Sequence, residues 1–198
     1  MRTEGREGKE KEREEGEVIL LFSLDVIRLN FPIDKLPKIG YTLYRKKRKE
    51  QKKMTIYFDM DGTIANLYGV EDWLPRLRSY DPTPYVVAEP LLRLSTLARL
   101  LNKLQRNGYR LGVISWGSMN APDFYDEAVA AAKLFWLNRH LPSVAWDEIH
   151  ITAYGIPKEE TAEEPDGILF DDNEGIRDAW TGTAYDVDNI MEILKGLL

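Results

Sequence analysis

The sequence predicts an α/β protein built on a doubly wound parallel sheet, and two observations carry that prediction. From Met54 onward, short apolar runs alternate with longer amphipathic patterns, as expected when crossover helices cover both faces of a parallel sheet. The first of these runs, Ile56-Tyr57-Phe58, delivers Asp59, Asp61 and then Gly62-Thr63. An apolar run of this length that ends in turn residues reads as a buried strand, so both carboxylates stand at its carboxyl end. Ligands of such sheets bind beyond the carboxyl ends of the strands. No internal repeat is present.

Taken in chain order, the elements begin after a segment of different chemistry. Residues up to Lys53 contain 15 Lys and Arg against 10 Asp and Glu; the remainder contains 12 against 23. The net charges of the two parts are therefore +5 and −11. Arg2 to Glu17 is a mixed-charge stretch without apolar periodicity and reads as disordered. Val18 to Leu24 is apolar but far too short to span a bilayer, and no signal peptide is recognisable. The basic run from Tyr44 to Lys53 has two readings, an arm for nucleic acid or the translation of a purine-rich ribosome-binding site just upstream of Met54. The second is preferred, so residues 1–53 are expected to be a disordered or mis-annotated extension of a catalytic domain spanning 54–198.

Within that domain Thr55 to Phe58, Leu111 to Ile114, Ile149 to Thr152, Gly167 to Phe170 and Ala184 to Val187 read as five strands. Leu91 to Asn107 repeats leucine at helical spacing and stops at Gly108, which predicts a helix with one apolar face. Asp123 to Arg139 is Ala-rich and amphipathic, and Asn189 to Leu197 closes the chain. About 25 residues, roughly 66–90, lie between the first strand and the leucine helix. Pro75, Pro82, Pro84 and Pro90 give this insertion short, stiff turns.

Two carboxylates crowded at a strand end repel each other unless a cation or a shared proton compensates, and a divalent metal with a phosphorylated substrate answers that need. Three further segments follow in order: Leu111-Gly112-Val113-Ile114-Ser115, Lys158, and Gly167-Ile168-Leu169-Phe170-Asp171-Asp172. Taken singly, each has an ordinary explanation. Asp61 reads as a turn carboxylate, Ser115 as a strand-end residue and Lys158 as a surface lysine.

Together they resemble the four motifs of the haloacid dehalogenase (HAD) superfamily, most of whose members are Mg-dependent phosphatases with an aspartate nucleophile. The resemblance implies a HAD-like Rossmannoid fold with a small helical cap at about 66–90. It further implies that Asp59 attacks phosphorus to form an aspartyl-phosphate, and that Asp61 protonates the leaving oxygen and later activates water. Gly62 lets the chain turn close to the phosphate, with Thr63 beside it. Ser115 and the backbone N–H groups of Trp116 and Gly117 would bind phosphate oxygens, and Lys158 would balance charge. Mg²⁺ would be held by Asp59, by the Asp61 backbone carbonyl and by Asp171 and Asp172, since hard oxygen ligands suit this ion.

Within the superfamily, the small 5'-deoxyribonucleotidase type and its bacterial and phage relatives are the nearest resemblance. It rests on Asp59 to Ala65 with Tyr68-Gly69, and on Phe170 to Asn173 with Trp180, Gly182 and Tyr185. Asn173 stands where that type usually has Arg, and the cap here is smaller. Trp73, Arg76, Arg78, Tyr80 and Tyr85 are the cap residues able to stack on a base or clamp a phosphate; packing of a two-helix lid is the other reading of Trp73. His140 and His150 lie outside the motifs and receive no catalytic role.

The partner expected is a small phosphomonoester, with deoxynucleoside monophosphates the class that the nearest resemblance implies. Two alternatives stay open, a phosphatase of nucleic-acid ends and a noncatalytic phosphate-binding protein on the same scaffold. The acidic core argues against nucleic acid, and no membrane partner is expected. With no cysteine in the chain, disulfides and thiolate metal sites are excluded. A reducing cytoplasm fits this composition, and an oligomer is compatible with it.

Overall fold

In the computed structural model the described residues are Tyr41–Thr42, for their backbone, and 54–198, all within the unit Pro37–Leu198. Apart from Tyr41 and Thr42, the expectation for residues 1–53 lies outside the described residues. Strands β1 (Tyr41–Thr42), β2 (Thr55–Phe58), β5 (Arg110–Trp116), β6 (Glu148–Thr152), β7 (Ile168–Phe170) and β8 (Thr183–Tyr185) form one sheet in the order β1-β6-β5-β2-β7-β8. The five strands expected from the sequence are mutually parallel. The addition is β1, which pairs antiparallel with β6 at the sheet edge.

Alternation along β2 divides the core. Ile56 and Phe58 face one layer with Leu111, Val113 and Phe170, beneath leucines Leu97, Leu101 and Leu104 of α3 (Leu94–Arg106). Tyr57 points to the opposite face with Ile114, Leu169 and Trp180, as a period of two requires. The leucine stripe thus buries against the sheet as its spacing predicts, each fully buried leucine contributing about 1.5–3 kcal/mol. The helix stops at Gly108, whose φ of 95° few other residues tolerate.

The insertion after β2 is closed at its base by a two-stranded antiparallel ribbon, β3 (Ala65–Asn66) against β4 (Glu89–Pro90). Between them lie two short helices, α1 (Trp73–Arg78) and α2 (Thr83–Val87). Pro75 and Pro84 fall in their first turns, where a missing N–H costs nothing. Leu67, Leu77 and Tyr85 of the insertion pack with Tyr125, Val129 and Ala132 of α4 (Asp123–His140), so α4 is covered by the insertion as well as by the main core. The remaining helices are α5 (Lys158–Thr161), α6 (Glu174–Ala179) and α7 (Ile190–Gly196). Among the described residues, no helix is long and apolar enough to cross a membrane.

Candidate active site

The three central strands end side by side, and their carboxyl ends gather the predicted residues. The Asp59 N–H donates to the Phe170 carbonyl at 2.9 Å, pinning the end of β2 to β7. The Met60 carbonyl then accepts from the N–H groups of Thr63, Ile64 and Ala65 at 3.2, 3.0 and 2.9 Å. This tight turn needs Gly62, whose φ is 75° and where a Cβ would run into the Asp172 carboxylate and the Tyr68 ring. The Thr63 hydroxyl accepts from the Asp172 N–H at 3.2 Å and so ties the first acidic loop to the last.

Carboxylate oxygens of Asp59, Asp171 and Asp172 lie within 4.8 Å of one another. Burial, then the charges of Asp59 and Asp171, push the Asp172 carboxyl up to about 6. Burial and the charge of Asp59 likewise raise Asp171, against the opposing pull of Lys158. Asp59 Oδ1 is buried with no hydrogen bond of good geometry, although the Lys158 ammonium lies 3.0 Å away as its ion-pair partner. Such a cluster of hard oxygens fits a small divalent cation.

Lys158 is itself buried and donates to Asp171 Oδ2 at 2.6 Å. Burial alone would lower its pKa, but Asp59 and Asp171 outweigh that and raise it, so the ammonium is retained. The Asp171 carboxylate also accepts from the Asn173 N–H at 2.9 Å. Asn173 in turn caps α6 by accepting from Gly175 and Ile176. Asn173 therefore has a local structural role here.

Asp61 has a different cation, one absent from the sequence reading. Lys133 of α4 is fully buried and donates to Asp61 Oδ2 at 2.6 Å, to Ser115 Oγ at 2.8 Å and to the Trp116 carbonyl at 2.6 Å. Its ammonium also lies 5.0 Å from the centre of the Tyr85 ring. Burial raises the Asp61 carboxyl, Lys133 opposes that shift and Asp59 adds to it; the net direction is upward. The signal available in the sequence was a lysine embedded in Ala130-Ala131-Ala132-Lys133-Leu134-Phe135-Trp136.

Other expected positions are distributed unevenly around this cluster. The Gly117 N–H is not free for a phosphate, because it donates to the Thr152 carbonyl at 2.6 Å and continues the β5–β6 ladder by one step. Trp116 turns its indole N–H to the Ile156 carbonyl at 2.7 Å and packs on Tyr154, with ring centres 4.8 Å apart. On the other side, Tyr68 and Trp73 meet edge to face at 5.1 Å. Burial and the four site aspartates raise the Tyr68 hydroxyl, which stays protonated beside them. Arg76 is engaged by Asp81 at 2.7 Å within the insertion, and Arg78 is exposed on the same helix. The clamping role expected for this pair therefore gains no contact here. His150 pairs with Glu148 and His140 stacks near Trp136, both outside the acidic cluster.

No family model matches the chain, and no curated protein matches it. Among solved structures, it is similar to a Mesorhizobium loti protein described as a HAD-like phosphatase, at 16% identity and a TM-score of 0.49, over 81% of this chain and 94% of that one. It is also similar to the D,D-heptose 1,7-bisphosphate phosphatase of Burkholderia thailandensis, at 20% identity and a TM-score of 0.41, over 64% of this chain and 71% of that one.

Proposed function

We propose that this chain is a Mg²⁺-dependent phosphomonoester hydrolase of the HAD type, with Asp59 as nucleophile and Asp61 as general acid and base. The observation that carries the reading is the separation of two carboxylates only two residues apart onto different cations. Asp59 faces Lys158 and the acidic cluster, whereas Asp61 faces Lys133. Two chemically distinct carboxyl groups at one strand end are what an attack by one and a proton transfer by the other require.

In the first step an Asp59 carboxylate oxygen forms a bond to phosphorus as the bond from phosphorus to the leaving oxygen breaks, and Asp61 gives that oxygen its proton. In the second step Asp61 takes a proton from water, whose oxygen bonds to phosphorus and returns Asp59 as carboxylate. Lys158 holds Asp59 and balances the charge that accumulates beside it. Asp59, Asp171 and Asp172, with the Asp61 carbonyl, would hold Mg²⁺, which when bound supplies charge neutralisation at the phosphate oxygens.

The substrate proposed is a small phosphomonoester, and deoxynucleoside monophosphates are the favoured class. Two aromatic pairs, Tyr68–Trp73 and Trp116–Tyr154, support a planar base carried by the leaving nucleoside near the cluster. Trp116 is tied to the cluster through Lys158, whose ammonium lies 5.6 Å from the centre of the Trp116 ring. A cytoplasmic setting accords with the lack of cysteine. The test is phosphate release from nucleotides, sugar phosphates and para-nitrophenyl phosphate with Mg²⁺. Release that disappears in Asp59→Asn and on chelation supports the reading; an Asp59→Asn protein that still turns over would sink it.

A further inference from the structure

We infer that Lys133 is a positioning residue that fixes which oxygen of Asp61 carries the transferable proton and which way the Ser115 hydroxyl points. The inference rests on the phosphohydrolase reading above. An ammonium group has three protons and accepts nothing, and Lys133 has three acceptors at 2.6–2.8 Å: Asp61 Oδ2, Ser115 Oγ and the Trp116 carbonyl. With all three donors engaged and the side chain fully buried, no proton of Lys133 is left for a phosphate oxygen. It therefore acts through its neighbours.

Two consequences follow from donor-only geometry. Asp61 Oδ2 accepts from Lys133, so in the protonated acid the hydrogen sits on Oδ1, and a single oxygen presents it to the leaving group. Ser115 Oγ accepts from Lys133 as well, so its own O–H is directed away from the ammonium and is free to donate to a phosphate oxygen. Lys133 is held for this task from two sides. It follows Ala132, which packs against the insertion, and its charge lies over the Tyr85 ring. The insertion and the acid–base residue are thereby linked through one side chain.

The experiment compares Lys133→Met with the unaltered chain on an alkyl phosphomonoester and on para-nitrophenyl phosphate, whose phenolate departs with little help from an acid. Loss of a positioned acid removes about 10²-fold or more from kcat/KM on the alkyl ester, a quantity that reports the phosphoryl transfer to Asp59 and not the later hydrolysis shared by both esters. The aryl ester should lose at most about tenfold, because that leaving group hardly draws on the acid term. Equal losses of kcat/KM on both esters, or kinetics like those of the unaltered chain, would overturn the inference. Methionine keeps the volume of the lysine stem, but it leaves Asp61 without its partner. The double variant Asp61→Asn/Lys133→Met, in which neither charge is stranded, therefore supplies a second reading. Its kcat/KM on the alkyl ester should fall below that of Asp61→Asn alone by at most about tenfold, the part that passes through Ser115, since the effect transmitted through Asp61 does not add; a further drop as large as that of Lys133→Met alone counts against the inference. Phosphate release by the unaltered chain, absent in Asp59→Asn, is the control. Its absence would defeat the phosphohydrolase reading and this inference with it, whereas release with an unselective Lys133→Met loss defeats this inference alone.

Discussion

The Lys158 ammonium lies 3.0 Å from Asp59 Oδ1, and its nearest hydrogen bond, at 2.6 Å, is to Asp171. One buried cation thus spans the end of β2 and the end of β7, and it is the only positive charge directly paired with the carboxylates that would hold the metal, among the described residues.

Replacing Lys158 with methionine should lower kcat by about 10²–10³-fold, the usual cost of one aimed electrostatic partner. It should also lower stability in chelator by about 3–5 kcal/mol, because one member of a buried pair is left alone. Added Mg²⁺ would offset part of that repulsion. The melting temperature of the variant should therefore rise more with Mg²⁺ than that of the unaltered chain. A smaller Mg²⁺-induced rise in the variant would contradict this account.

For the unaltered chain, Mg²⁺ at a hundred times its dissociation constant should add about 2.7 kcal/mol to stability by mass action. Asp172→Asn removes one of the three clustered carboxylates, and most of this gain should go with it. Calorimetric titration with Mg²⁺ checks the affinity directly. An Asp172→Asn protein that binds the ion as tightly as the unaltered chain would exclude Asp172 from the site.

Gly62 ties backbone geometry to the same cluster. An alanine there must hold φ near 75° and place its Cβ against the Asp172 carboxylate and the Tyr68 ring. Backbone strain of this kind costs about 1–3 kcal/mol, and displacement of Asp172 should weaken Mg²⁺ binding at the same time. Gly62→Ala is expected to lose both melting temperature and metal affinity; retention of full affinity would show that Asp172 can move aside.

The strands and acidic loops were legible because their signals are local: a buried strand followed by a turn is written in consecutive residues, as in Tyr57-Phe58-Asp59 and Leu169-Phe170-Asp171. Ser115 was legible by order along the chain. Lys133 was not, because a lysine on an amphipathic helix usually marks the solvated face, and α4 has little such face where the sheet and the insertion cover it from two sides. Strand β1 escaped for a related reason. Tyr41 and Thr42 carry no apolar run of their own, and their place depends on a long-range antiparallel pairing with His150 and Ile151. The commitment of the Gly117 amide to Thr152 is likewise a matter of how far a ladder extends, which composition does not encode.

At the opposite end of the sheet, Glu148 supplies a pH test independent of catalysis. It is fully buried, accepts from the Tyr57 hydroxyl at 2.9 Å and lies 2.8 Å from His150 Nε2. Burial would raise its carboxyl, but His150, Tyr57 and the Glu163 N–H outweigh burial and hold it below the usual carboxylate value. A depressed folded-state pKa contributes stability that is fully present above the unfolded value, about 4.3, and that is lost as the pH falls through the lower folded value. Glu148→Gln keeps the shape but not the charge, and should cost about 1–3 kcal/mol at neutral pH. Below about pH 4 that difference should shrink, because the unaltered chain must then protonate Glu148 while the variant has nothing there to titrate. Urea unfolding of both proteins from pH 7 down to 3 measures it. A difference that stays constant across the range would mean that Glu148 stabilises the fold by packing and not by charge.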